Sequence, residues 1–91
     1  MMLKQTVKIQ NVRGLHARAT AAFVRVADTF DGDIFVSNSE GLRVSGKSIM
    51  GLLMLGAPMG SSLTLEVEGE GSAQKMDELI DLINNKFGEE I

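Results

Sequence analysis

Ser62-Leu63-Thr64-Leu65-Glu66-Val67-Glu68 alternates polar and apolar residues at every position. A period of two is that of a strand with one dry face and one wet face. Strands of this kind belong to antiparallel sheets that are solvated on one side. The rest of the chain must therefore supply more strands and a cover for the Leu63, Leu65 and Val67 face.

Working outward, residues 3–9 alternate in the same way, with Leu3, Val7 and Ile9 on one parity and Lys4 and Lys8 on the other. Residues 34–36 and 42–44 read as two short strands around the turn Asn38-Ser39-Glu40-Gly41, a hairpin. Between the strands the period changes. Ala19, Phe23, Val26, Ala27 and Phe30 form a helical stripe within residues 16–30, ended by Asp31-Gly32. Ser48 opens a short apolar helix running to about Leu55, closed by Gly56 with Pro58 beyond it. A last helix starts near Ser72, with Met76, Leu79, Ile80, Ile83 and Phe87 as its stripe and Gly88 just past its end. The order β-α-β-β-α-β-α predicts an α+β fold, an open-faced two-layer sandwich whose helices cover one face of an antiparallel sheet.

The chain has 91 residues, which suits one domain spanning 1–91. It has no cysteine and a net charge of −3. The first excludes disulfides and thiolate chemistry. The second disfavours a general attraction to nucleic acid or anionic membranes. With no Trp or Tyr and four Phe, there is little to stack bases on. Residues 49–60, the longest nearly apolar run, are too few to span a bilayer. The N-terminal residues form no signal-peptide core. These features predict a cytoplasmic protein without membrane insertion.

Chemistry concentrates at Gly14-Leu15-His16-Ala17-Arg18, where a loop meets a helix. Free N–H groups and the positive end of the macrodipole make a helix start receptive to anions. Arg18 can add a guanidinium fork to the same anion. A neutral imidazole is a nucleophile, and a helix terminus disfavours adding positive charge to it. His16 in that setting can accept a phosphoryl group. The plainer reading is a capping or surface histidine, which is the commoner fate of such a residue. Metal binding is disfavoured, since no second His and no Cys is present.

Residues 48–55 are the second informative stretch. A two-turn helix on a sheet buries one side only, so if Leu52 and Leu55 face the core, Ile49, Met50 and Leu53 face outward. They then form either a docking surface or a patch covered by a loop. Ser48 reads first as an N-cap. A phosphate there would be favoured by the dipole and would crowd the apolar patch.

These segments, together with the element order and length, resemble the histidine-containing phosphocarrier family, HPr, of the bacterial phosphoenolpyruvate-dependent phosphotransferase system. The motifs are Gly14-Leu15-His16-Ala17-Arg18 and Lys47-Ser48-Ile49-Met50-Gly51. The resemblance covers essentially the whole chain. It implies a four-stranded sheet of order 1-4-2-3 under three helices. It implies a phosphoryl carrier rather than an enzyme, needing no cofactor and working as a monomer. His16 would be phosphorylated on Nδ1 by enzyme I and would pass the group to a histidine of enzyme IIA, as in sugar transport. Arg18 would orient the phosphoryl group, with backbone N–H groups of Ala17, Arg18 and Ala19 as its cradle. Ser48 would be the target of an HPr kinase/phosphorylase. Thr20, Ile49, Met50 and Leu53 would form the partner surface.

One position departs from the family. Ala19 stands where members usually carry proline, so the first turn keeps an extra N–H and is less rigid. The Asn11-Val12-Arg13-Gly14 approach and the Leu52-Leu53-Met54-Leu55 run look like the nitrogen-related branch of the family, which has a regulatory role. The Ser48-Ile49-Met50-Gly51 run looks like serine-regulated members. Two further readings stand beside the carrier: an interaction module that regulates without phosphotransfer, and a small-ligand sensor.

Overall fold

The structure is a computed structural model that describes residues 2–91. Its strands are β1 (Met2–Lys8), β2 (Asp33–Ser37), β3 (Arg43–Ser45) and β4 (Ser62–Glu68). Its helices are α1 (Ala17–Ala27), α2 (Ile49–Met54) and α3 (Ser72–Asn84). The four strands form one antiparallel sheet in the order β1-β4-β2-β3. This is the expected open-faced sandwich.

β4 lies in the middle of the sheet. Leu65 sits opposite Gln5 of β1 and Val36 of β2, and Val67 opposite Leu3 and Ile34. Leu63, Leu65, Val67, Ile34 and Val36 are all buried, so the alternation read from residues 62–68 points one parity of side chains under the helices. The other parity is wet. There Thr6 faces Thr64, and Arg43 pairs with Glu66 at 2.9 Å while lying over the Phe35 ring at 3.8 Å.

Helix stripes follow the 3.6 period with small shifts. α1 buries Ala19, Thr20, Phe23, Val24 and Ala27, so Val24 takes the place expected of Val26, which is only half-buried. Phe30 is buried beyond the helix end. α3 stops at Asn84 rather than running on to Phe87. Lys86, Phe87 and Gly88 all have positive φ (58°, 55° and 85°), a left-handed turn that drops Phe87 into the core and reverses the chain.

Two lysines hold the C-terminal end of α1. Lys75 is 7% exposed, and its Nζ donates to Val26 O at 2.9 Å and to Thr29 Oγ1 at 2.6 Å. Lys47 Nζ donates to Phe30 O. The Lys75 ammonium adds a donor to a last-turn carbonyl that also accepts from Thr29 and opposes the negative pole of the helix, while Lys47 holds the chain just beyond it. Glu78 accepts from Lys75 Nζ at 2.6 Å, which, against some desolvation, holds its carboxyl below the ordinary 4.5.

At the N-terminal end, Gly14 sets the path into α1. Its φ is +68°, and a Cβ there would stand 2.5 Å from Ala57 O. The following residue donates its N–H to that same carbonyl at 2.8 Å. Only glycine allows this approach.

Two expectations follow. Gly14→Ala should cost about 1–3 kcal/mol of stability through backbone strain, with the clash in addition. Denaturant unfolding checks this, and an unchanged midpoint would contradict the packing described. Because the Glu78 carboxyl is lowered in the fold, its contribution is present above about pH 4.5 and is lost as pH falls through the lowered value. Glu78→Gln should therefore weaken the protein slightly at neutral pH and flatten its acid limb in a stability–pH series. An identical acid limb would show that the Lys75–Glu78 pair adds nothing.

Candidate functional site

His16 is the N-cap of α1, with extended φ and ψ of −87° and −177°. Its ring Nδ1 accepts the Arg18 backbone N–H at 3.3 Å, a role more often filled by Ser, Thr, Asp or Asn. The His16 side chain is 25% exposed. Its backbone N–H donates to Gly14 O at 3.0 Å, and its carbonyl accepts from Thr20 N–H at 2.9 Å. The loop and the first helical turn thus fix the residue from both sides.

Arg18 is exposed and forms no salt bridge among the described residues. It shares a cleft of about 340 Å³ with Arg13 and residues 87–91 of the C-terminal tail. The N–H groups of Ala17, Arg18 and Ala19 belong to the first turn, where no carbonyl within the helix lies four residues back. Ala19 is fully buried, and its methyl packs in the core. His16, Arg18 and the first-turn backbone are therefore gathered at one helix start.

The sequence reading gives no role at the site to two residues that meet there. Asn11 is fully buried, and its Nδ2 donates to Gly14 O and to Glu89 Oε1, both at 2.8 Å. The second oxygen of Glu89 contacts His16 Nε2. The Asn11 hydrogen bond holds the Glu89 carboxyl below its ordinary range; partial burial pushes it the other way, and the hydrogen bond with His16 lowers it further. No local signal at residue 89 foretold this. The contact depends on the left-handed turn after α3, which joins residues far apart in sequence.

The apolar patch lies on α2. Ser48 caps the helix, its Oγ accepting the Gly51 N–H at 3.0 Å. Leu52 and Leu55 are buried. Ile49 and Met50 are exposed at 43% and 70%, as expected, and Met54 joins them at 67%. Leu53 is half-buried. Thr20 corrects the expectation that it helps form the partner surface. It is fully buried, and its hydroxyl donates to Ala17 O at 2.8 Å. Its position on the inner side of α1 leaves it no surface to offer.

Among the described residues, no helix is long and apolar enough to cross a membrane. No three His, Asp or Glu side chains among them group to hold a metal ion.

The chain and its fold have counterparts among known proteins. The family model of the PTS HPr component phosphorylation site matches residues 3–85. The phosphocarrier protein HPr of Neisseria meningitidis serogroup A is 48% identical over 88 residues, covering 97% of this chain and 98% of its own. Among solved structures, HPr-C-His from Thermoanaerobacter tengcongensis superposes with a TM-score of 0.91 at 40% identity, over 98% of this chain and 99% of that one. An HPr dimer from the same organism gives a TM-score of 0.76 at 41% identity, over 91% and 94%. With its sheet order, its His16-capped helix and its near-complete coverage, the chain belongs to the HPr family, the phosphocarrier proteins of the phosphotransferase system.

Proposed function

We propose that His16 is the phosphoryl acceptor of this chain, charged by phospho-enzyme I and discharged to a histidine of an enzyme IIA. The observation that carries this reading is the position of Nδ1. It faces the first turn of α1, within 3.3 Å of the Arg18 N–H. A phosphoryl group on Nδ1 would replace the nitrogen as acceptor of that N–H. Its oxygens would meet the first-turn amides of Ala17, Arg18 and Ala19, at the positive end of the helix. The Arg18 guanidinium, unpaired among the described residues, would add charge-assisted bonds to the same oxygens. The carrier is a substrate of its two partners, not a catalyst itself.

Ile49, Met50 and Met54 form the docking surface in this reading, flanked by Leu53. Methionines adapt to more than one partner surface. Ser48 is the regulatory site. A phosphate on its Oγ would set a dianion next to Ile49 and Met50 and oppose docking there. A regulatory module without phosphotransfer would use the same exposed patch and have no need of His16, whereas a carrier of the nitrogen-related branch would still need it to pass the group to a regulatory enzyme IIA.

Incubation with phosphoenolpyruvate and enzyme I should give one acid-labile, base-stable phosphoryl group. His16→Ala should abolish the label, and a label that survives would refute the assignment. Arg18→Ala should leave the unfolding midpoint near wild type and slow transfer by about tenfold or more, the worth of a hydrogen bond to a charged group. Equal rates would remove Arg18 from the site. Should His16→Ala bind and regulate a partner as wild type does, the regulatory reading replaces the carrier.

Treatment with an HPr kinase and ATP should place a single phosphate on Ser48, located by mass spectrometry. Modification confined to Ser45 or Ser37 would overturn that assignment.

A further inference from the structure

Glu89 reaches the imidazole only because the chain turns sharply after α3. Lys86 and Phe87 adopt left-handed φ, which is unfavourable for an L-residue. The turn is held by Phe87, 8% exposed in the core, and by Val12 N–H, which donates to Ile91 O at 2.7 Å. Strain of this kind persists where surrounding contacts over-determine it.

Asn11 adds a second constraint. Its amide nitrogen faces two oxygens, Gly14 O and Glu89 Oε1, each at 2.8 Å. Turning the amide over would set oxygen against oxygen. In the orientation that binds Glu89, Asn11 Oδ1 is buried without a partner. An unpaired buried acceptor is unfavourable, so the orientation is held by its two donated bonds.

The partners of the ring then assign its tautomer. A neutral imidazole has one N–H and one lone pair. Nδ1 accepts the Arg18 N–H, so the proton is on Nε2 and is donated to Glu89. The Glu89 side chain is 13% exposed, which limits the water competing for that bond.

We propose that Glu89 is a positioning residue for phosphoryl acceptance at His16, holding Nε2–H against its carboxylate so that Nδ1 faces the helix start, and offsetting the charge the ring gains on reaction. This rests on His16 being the acceptor. In the step itself, the Nδ1 lone pair forms a bond to phosphorus. The bond between phosphorus and the donor's leaving atom breaks, and that atom keeps the electron pair. The Nε2 proton stays where it was. The ring now carries positive charge beside an ionised carboxylate. On discharge, Nδ1 takes back the electron pair, and the ring is neutral again with its proton still on Nε2. A carboxylate behind an imidazole has this double effect, on tautomer and on charge, in hydrolytic triads.

The test uses the full chain, ¹⁵N-labelled at histidine, as wild type, Glu89→Gln and Glu89→Ala. Ring ¹⁵N spectra and the exchange of the Nε2 proton report the tautomer. Single-turnover transfer from phospho-enzyme I reports the rate. In wild type, Nε2 should be the protonated nitrogen and its proton should exchange slowly. Glu89→Gln keeps an acceptor oxygen, so it should keep that spectrum, yet accept the phosphoryl group about tenfold more slowly for want of the charge. Glu89→Ala should lose the slowly exchanging proton and be at least as slow, with an unfolding midpoint close to wild type. Wild-type rates in both variants, or a wild-type ring protonated on Nδ1, would overturn the proposal. So would a change confined to the concentration dependence of transfer, since that marks the tail as a docking element. A wild-type His16 that takes no phosphoryl group overturns the carrier reading and the charge-offsetting half of the proposal. The ring spectrum of the unphosphorylated protein decides the positioning half by itself.

Discussion

Hydrogen bonding of β4 on both its edges is the constraint under which everything else is arranged. Pairing with β1 on one side and β2 on the other fixes the register of both neighbours, and with it the parity of every side chain in them. Leu63, Leu65 and Val67 then present a continuous apolar strip with Ile34 and Val36. Burying one such side chain contributes about 1.5–3 kcal/mol. Only helices with apolar stripes can cover the strip, and they must all lie on one face. The start of α1 is thereby brought to one edge of the molecule, where the loop after β1 and the tail after α3 also arrive.

α1 is held at both ends by groups from elsewhere in the chain. Lys75 holds a carbonyl of its last turn, and Lys47 the carbonyl of Phe30 just beyond it. His16, fixed by Gly14 O and by the tail carboxylate of Glu89, caps its start. The residue that caps the helix is thus also the proposed phosphoryl acceptor. The cap hydrogen bond to Nδ1 is 3.3 Å long, so exchanging it for a bond to a phosphoryl oxygen gives up little.

Much of the fold was legible because the strands and helices differ cleanly in period. Residues 62–68 and the Ala19, Phe23 and Ala27 stripe carried their own evidence, and the family's two motifs, with their spacing, carried the sheet order. The place of His16 and Arg18 at a helix start was legible for the same reason, since the change of period near residue 16 marks where the helix begins. What periodicity cannot encode is a turn that ends a pattern early. Phe87 continues the i, i+4 spacing of α3, yet it lies beyond the helix, in left-handed backbone. The contacts of Asn11 and Glu89 follow from that turn and so left no trace in local spacing. Thr20 failed differently. Its place in the docking set came from family resemblance, whereas the burial of α1 turns that position inward.

The strand order carries a consequence for how the chain is assembled. β2 and β3 pair across a short turn and can close early. β1 pairs only with β4, its partner from the far side of the sequence. That loop is the costliest to close. Until it closes, one side of β4 is an open row of N–H and C=O groups that any β1 can fill. At high concentration during refolding, the strand that fills it can come from a neighbouring chain. The same register that makes the monomer then joins two molecules by strand exchange.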